Sequence, residues 1–102
     1  MKSGSIALGT TRVIQGVVPL TGRFSVQMLS ANLSADTTFN LQFSLDGTNW
    51  DNAMDTTGSD ISDTLVQSAT KVVSYDAAPA ISFRILFAGV TTGTVAYNTT
   101  GL

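Results

Sequence analysis

Thr38-Phe39-Asn40-Leu41-Gln42-Phe43-Ser44-Leu45-Asp46-Gly47 reads as a β-strand running into a tight turn. Successive side chains of a strand point to opposite sides. Phe39, Leu41, Phe43 and Leu45 therefore share one face, and Thr38, Asn40, Gln42 and Ser44 share the other. Asp-Gly closes the run with a strong turn signal, because glycine enters the left-handed region without steric cost. The same period of two recurs along the chain. Phe24, Val26 and Met28 alternate with Arg23, Ser25 and Gln27, and Ile81, Phe83, Ile85 and Phe87 alternate with Ser82, Arg84 and Leu86. Val95 and Tyr97 alternate with Thr94, Ala96 and Asn98. Weaker strand patterns lie at 11–18, 64–66 and 70–75. Turn residues separate these runs at 19–22, 32–37, 76–79 and 89–93, and a Thr/Ser/Gly/Asp-rich loop is expected over 55–63.

No segment carries a helical period of useful length. The pattern predicts an all-β protein, an antiparallel two-sheet β-sandwich or jelly roll of about seven or eight strands. Its expected core is Phe24, Val26, Phe39, Leu41, Phe43, Leu45, Ile81, Phe83, Ile85 and Phe87. Residues 1–11 are small and polar and are expected to form a flexible N-terminal arm, with residues 12–102 as a single β-sandwich domain.

Composition narrows the function. The 102 residues are 43% hydrophobic but only 12% charged, about half the charge of an average soluble domain. With no cysteine there is no disulfide framework, thiolate nucleophile or cysteine zinc site. With no histidine the commonest general base and metal ligand is missing. The five basic residues, Lys2, Arg12, Arg23, Lys71 and Arg84, are scattered, whereas phosphate binding wants them clustered, so no nucleic-acid partner is expected. No apolar run reaches the length of a membrane span or of a signal-peptide core, so neither a span nor a secretory signal is expected. Asn32-Leu33-Ser34 and Asn98-Thr99-Thr100 fit the glycosylation pattern, which without a secretory route reads as chance.

Little chemistry remains. Neither Lys2 nor Lys71 belongs to a serine–lysine pattern, and no glycine-rich phosphate loop opens a helix. All seven acidic residues are Asp, mostly beside Gly, Thr, Ser or Asn, where their side chains bond nearby backbone amides and form turns. The oxygen-rich run Asp46–Asp51 lacks the spacing and terminal Glu of an EF-hand, so turn formation is favoured over calcium. No enzyme activity and no cofactor are expected. Asn49, Trp50 and Asp51 are the candidate interaction or sugar contacts. Trp50 either offers a platform for a sugar ring or a partner, or folds back over the core edge as a plug; a lone aromatic makes a weak sugar site, which favours the plug.

Leu41-Gln42-Phe43-Ser44-Leu45-Asp46-Gly47-Thr48-Asn49-Trp50 resembles the S-x-D-G-x-x-W strand–turn segment of small β-sandwich virion structural proteins of bacteriophages. Ile81–Phe87, an alternating strand with an Arg, and Thr92–Tyr97, a Gly-Thr-Val-type last strand, follow in the same order, and Gly22–Gln27 also fits. The resemblance covers roughly residues 20–98. It implies a virion structural protein of the capsid-decoration, head-fibre, spike-base or minor-capsid type, a homo-oligomer or a partner of other virion proteins, with no catalytic residues to carry over. Arg84 is expected to brace the loop after Trp50 by pairing with an Asp, with no single Asp singled out. Neutral polar strand faces of Ser, Thr, Asn and Gln agree with a subunit that packs against neighbours, since isolated sheets often protect themselves with charge. The alternative is a carbohydrate-binding or host-adhesion β-sandwich module built on Asn49, Trp50 and Asp51.

Overall fold

A computed structural model describes residues 2–78, 81–88 and 92–100. Along these the strands are β1 (Lys2–Ala7), β2 (Val13–Val17), β3 (Arg23–Ala31), β4 (Thr37–Ser44), β5 (Asp51–Asn52), β6 (Ser62–Leu65), β7 (Thr70–Asp76), β8 (Ser82–Ala88) and β9 (Thr94–Thr99). The described residues contain no helix. The strands form two antiparallel sheets, one in the order β1-β9-β3-β7 and the other in the order β2-β8-β4-β5, with β6 also on β4. The architecture is a β-sandwich.

Alternation sets which side of each strand is buried. Phe24, Val26 and Met28 of β3 meet Phe39 and Leu41 of β4 and Phe83, Ile85 and Phe87 of β8 between the sheets, all of them fully buried. Phe24 stacks on Phe83 with ring centroids 4.2 Å apart and takes Phe43 edge-on at 6.5 Å. Each such side chain contributes about 1.5–3 kcal/mol by leaving water. Phe43 and Ile81 are half-buried and pack against this core.

Leu45 is not core. It is 90% exposed, because β4 ends at Ser44, whose buried hydroxyl accepts the Gly47 N–H at 2.8 Å and turns the chain before Leu45 can continue the alternation. The N-terminal segment is also not an arm. Residues 2–7 form edge strand β1 in register with β9, from Lys2 opposite Thr99 to Ala7 opposite Thr94. Ile6 and Leu8 are buried in the core, and Leu8 donates its N–H to the Gly93 carbonyl at 3.1 Å. Two apolar side chains two residues apart tie down a stretch otherwise made of Lys, Ser, Gly and Ala. The loop expected over 55–63 is shorter than its composition suggests, since β6 begins at Ser62 and Met54 bridges Asp60. Pro79 and residues 89–91, within two expected turns, lie outside the described residues.

Candidate functional site

The loop after β4 is built on one carboxylate. Asp46 accepts the N–H groups of Thr48 and Asn49, each at 2.8 Å, the Asn49 side-chain amide at 2.8 Å and the Ser44 hydroxyl at 2.9 Å. Gly47 supplies the left-handed residue, with φ of 76°. The Asn49 and Thr48 amides, then the Asn49 side chain and the Ser44 hydroxyl, hold the Asp46 carboxyl far below its ordinary range. Asp46 is thus a turn former that stays charged well below the ordinary carboxylate range.

This loop separates the three candidate contact residues. Asn49 and Asp51 line a cleft of about 340 Å³ at the end of the sandwich, together with Asp46 and Asn52, over an apolar wall of Phe43, Leu45 and Ile81. Trp50 instead lies over the solvent-facing side of the β2-β8-β4-β5 sheet. Its ring centroid is 4.6 Å from the guanidinium carbon of Arg84, a cation–π contact. Arg84 alternates with buried Phe83 and Ile85 and so points outward. Trp50 is half-buried on this outer face and does not plug the core, because the Arg84 side chain stands beneath it.

The expected pairing of Arg84 with an Asp to brace the loop after Trp50 is not what its contacts among the described residues give: Arg84 packs on the Trp50 ring itself and bonds an amide, and the contacts that start from it reach an Asp only at their far end. Arg84 Nε donates to Gln42 Oε1 at 2.6 Å, Gln42 Nε2 donates to Asn52 Oδ1 at 2.7 Å, and Asn52 Nδ2 donates to Asp60 Oδ2 at 3.2 Å. The register explains this chain of contacts, since Arg84 stands opposite Gln42 and Gln42 opposite Asn52. Period-two patterning shows that Gln42 and Arg84 face outward; their sharing one row follows only from strand order.

The outer face of the other sheet is of a different kind. Ser3, Asn98, Gln27 and Val72 form one row across it, and Ser5, Ala96, Leu29 and Thr70 the next. Val72 is 60% and Leu29 39% exposed. Polar groups are largely satisfied within the face: Asn98 Nδ2 donates to Gln27 Oε1 at 3.2 Å, and the Ser25 and Ser74 hydroxyls are 2.8 Å apart. Charge appears at one end, where Arg23 pairs with Asp76 at 3.0 Å. Across the sandwich edge, Lys71 of β7 reaches Asp63 of β6 at 3.1 Å and ties the two sheets together. The Thr64 N–H and then Lys71 lower the Asp63 carboxyl. Burial, with the Asp63 charge, pushes the Tyr75 hydroxyl up to about 12. Among the described residues no cluster of His, Cys, Asp and Glu has the makings of a metal site, and no helix is long and apolar enough to cross a membrane.

The sequence matches no protein-family model and no curated protein. Several solved structures are similar to the chain. The Yersinia pseudotuberculosis-derived mitogen is 16% identical, with a TM-score of 0.53 over 99% of this chain and 83% of that one. PirA is also 16% identical, with a TM-score of 0.51 over 95% of this chain and 83% of its own. A carbohydrate-binding module, TmCBM61, solved with β-1,4-galactotriose, is 10% identical, with a TM-score of 0.43 over 98% of this chain and 70% of that one. At these identities, the mitogen and PirA show a shared β-sandwich fold and nothing narrower.

Proposed function

We propose that this chain is a non-enzymatic structural subunit of a bacteriophage virion, resident in the particle and working through contacts with capsid or spike proteins and with copies of itself. The observation that carries this reading is the outer face of the β1-β9-β3-β7 sheet. Its two central rows hold only Ser, Thr, Asn, Gln, Ala, Leu and Val, all uncharged and most of them short. Such a face can lie flat against a neighbour without desolvating charge, and desolvated charge is the main polar cost of association. The strand–turn resemblance around Asp46–Trp50 supports the same reading.

Quantitative mass spectrometry of purified particles tests it. The chain is expected in a fixed ratio to the major capsid protein, and Leu29→Lys with Val72→Lys is expected to leave the protein folded while excluding it from particles. Absence of the wild-type chain from particles overturns the reading.

The cleft favours a second reading, a carbohydrate-binding module. Carboxylates and amides above an apolar wall of Phe43 and Ile81 form the mixed lining that small polar ligands use. Isotope-edited NMR titration with neutral oligosaccharides would then shift Asn49, Asp51 and Asn52 together, and Asp51→Ala would abolish the shifts. Unmoved cleft resonances rule this reading out.

A further inference from the structure

We infer that β1 is a strand-addition edge whose occupant is β1 of a second copy of this chain, the two running antiparallel about a two-fold axis at Gly4. β1 is the outermost strand of its sheet and pairs with β9 on one side. Hydrogen-bonded pairs alternate along an antiparallel ladder. The bond from the Leu8 N–H to the Gly93 carbonyl therefore makes Ile6–Val95 and Gly4–Tyr97 the bonded pairs, and the backbone N–H and C=O groups of Ser3, Ser5 and Ala7 point away from β9. The Ala7 carbonyl already accepts the Thr10 and Thr11 N–H groups at 3.0 and 2.8 Å. Among the described residues, Ser3 and Ser5 are left presenting two donors and two acceptors at the edge.

Placing Ser3 opposite Ser5 of the second copy uses these groups in full, because the two-fold repeats the pair and closes a ladder of about four hydrogen bonds. Gly4 then meets Gly4 on the axis. A β-carbon on Gly4 would stand 2.7 Å from the Tyr97 hydroxyl, so the Tyr97 side chain already covers the inner side of this glycine and backs the edge where the two copies meet.

Charge identifies the occupant. All seven carboxylates lie between residues 36 and 76, and none is on β1, β2, β8 or β9. The opposite edge, β7, carries the inward-pointing Lys71 paired with Asp63, a known device against strand addition. Two copies of a chain of net charge −2 that meet through β1 keep their acid-rich sides apart. A different protein would be selected by complementary charge; Lys2, the one charged residue of β1, lies outside the Ser3–Ser5 ladder, and Ser3, Gly4, Ser5 and Ile6 offer no charge. Joining the copies also makes the neutral outer face continuous across both sheets. This inference rests on the structural-subunit reading only in taking a protein as the partner.

Sedimentation velocity from about 10 μM to 1 mM, the range in which short interfaces associate, tests it. The mass is expected to rise from one chain to two, and exchange of the Ser3 and Ser5 amides to slow with concentration. Ser5→Pro removes an outward N–H while leaving the ladder to β9 intact, and should weaken the dimer at least tenfold. Ser3→Lys with Ser5→Lys should do the same by repulsion should the proline variant fail to fold. Ser74→Pro, whose N–H points away from β3 at the far edge and which lies outside the two central rows, should leave the dimer unchanged. A wild-type monomer at all concentrations, a dimer indifferent to the Ser3 and Ser5 variants, or Ser3 and Ser5 amides that exchange at one rate throughout overturns the inference. A monomer that still enters particles defeats this inference alone, whereas a dimer absent from particles defeats the structural-subunit reading alone.

Discussion

Gln42 holds together a row of side chains that the sequence presents as independent. It accepts a hydrogen bond from Arg84 and donates one to Asn52, and Arg84 in turn supports the Trp50 ring. Lysine has no acceptor and adds a positive charge beside the guanidinium. Gln42→Lys should therefore lower stability by about 1–2 kcal/mol, the scale of a lost hydrogen bond to a charged group, and shift Trp50 fluorescence toward the solvent-exposed value. Gln42→Glu keeps the acceptor and should leave the fluorescence unchanged. Tyr75 makes a second prediction at this scale. Its hydroxyl is neutral in the fold up to about 12, against an ordinary value of 10.0. The folded state thus binds the proton more tightly than the unfolded chain, so this contribution is complete below 10 and is lost as the pH rises from 10 toward 12. Tyrosinate absorbance and thermal midpoints should change together over that window, and Tyr75→Phe should remove this part of the alkaline loss.

The turn between β4 and β5 shows what an element can reveal in advance. Asp-Gly after an alternating run was legible as a turn because it needs only a left-handed residue and a nearby acceptor. Leu45 departs from the pattern because alternation alone cannot say where a strand stops; the stop is made by Ser44, a serine in the polar row of the alternation whose side chain is nonetheless buried. β1 was misread because Ile6 and Leu8 reach the core through a partner, β9, some ninety residues further along the chain. In the same way, Asn49, Trp50 and Asp51 are adjacent in sequence, yet the turn sends Trp50 to one face and the other two to the cleft. The turn itself titrates. The Asp46 carboxyl lies below its ordinary 3.8, and Thr57 with the Ser59 and Thr57 amides lowers Asp55 likewise. The stability these groups supply is complete above the ordinary carboxylate value and is lost as pH falls through their depressed values. Ser44→Ala removes one donor to Asp46 and the acceptor for the Gly47 N–H. The Asp46 carboxyl should then titrate at a higher pH by carbon-detected NMR while staying below 3.8, since its Thr48 and Asn49 amide donors remain. Loss of the buried hydroxyl's bonds should cost about 1 kcal/mol at neutral pH.

Across the whole molecule, the first strand completes the sheet that the last strand opens. β9 lies between β1 and β3, so its bonded pairs with β1 and its inner side chains Val95 and Tyr97 depend on residues at the far end of the chain. Such pairing is long-range, and a sandwich dominated by it folds in milliseconds to seconds, not microseconds. Ile6 and Leu8 are both buried among the core side chains. A flexible arm could be removed at no cost to the fold. Deleting residues 1–8 should instead cost about 3–6 kcal/mol, from two aliphatic side chains at roughly 1.5–3 kcal/mol each, with the lost ladder to β9 adding to it. For a domain of this size that is a large share of the roughly 5–15 kcal/mol available. Urea unfolding of the deletion variant should show a midpoint far below that of the intact chain, or no cooperative transition at all. The double substitution Ile6→Ser with Leu8→Ser should reproduce most of the loss with the backbone of β1 still present. An unchanged midpoint in both would mean that β1 contributes nothing to the core it covers.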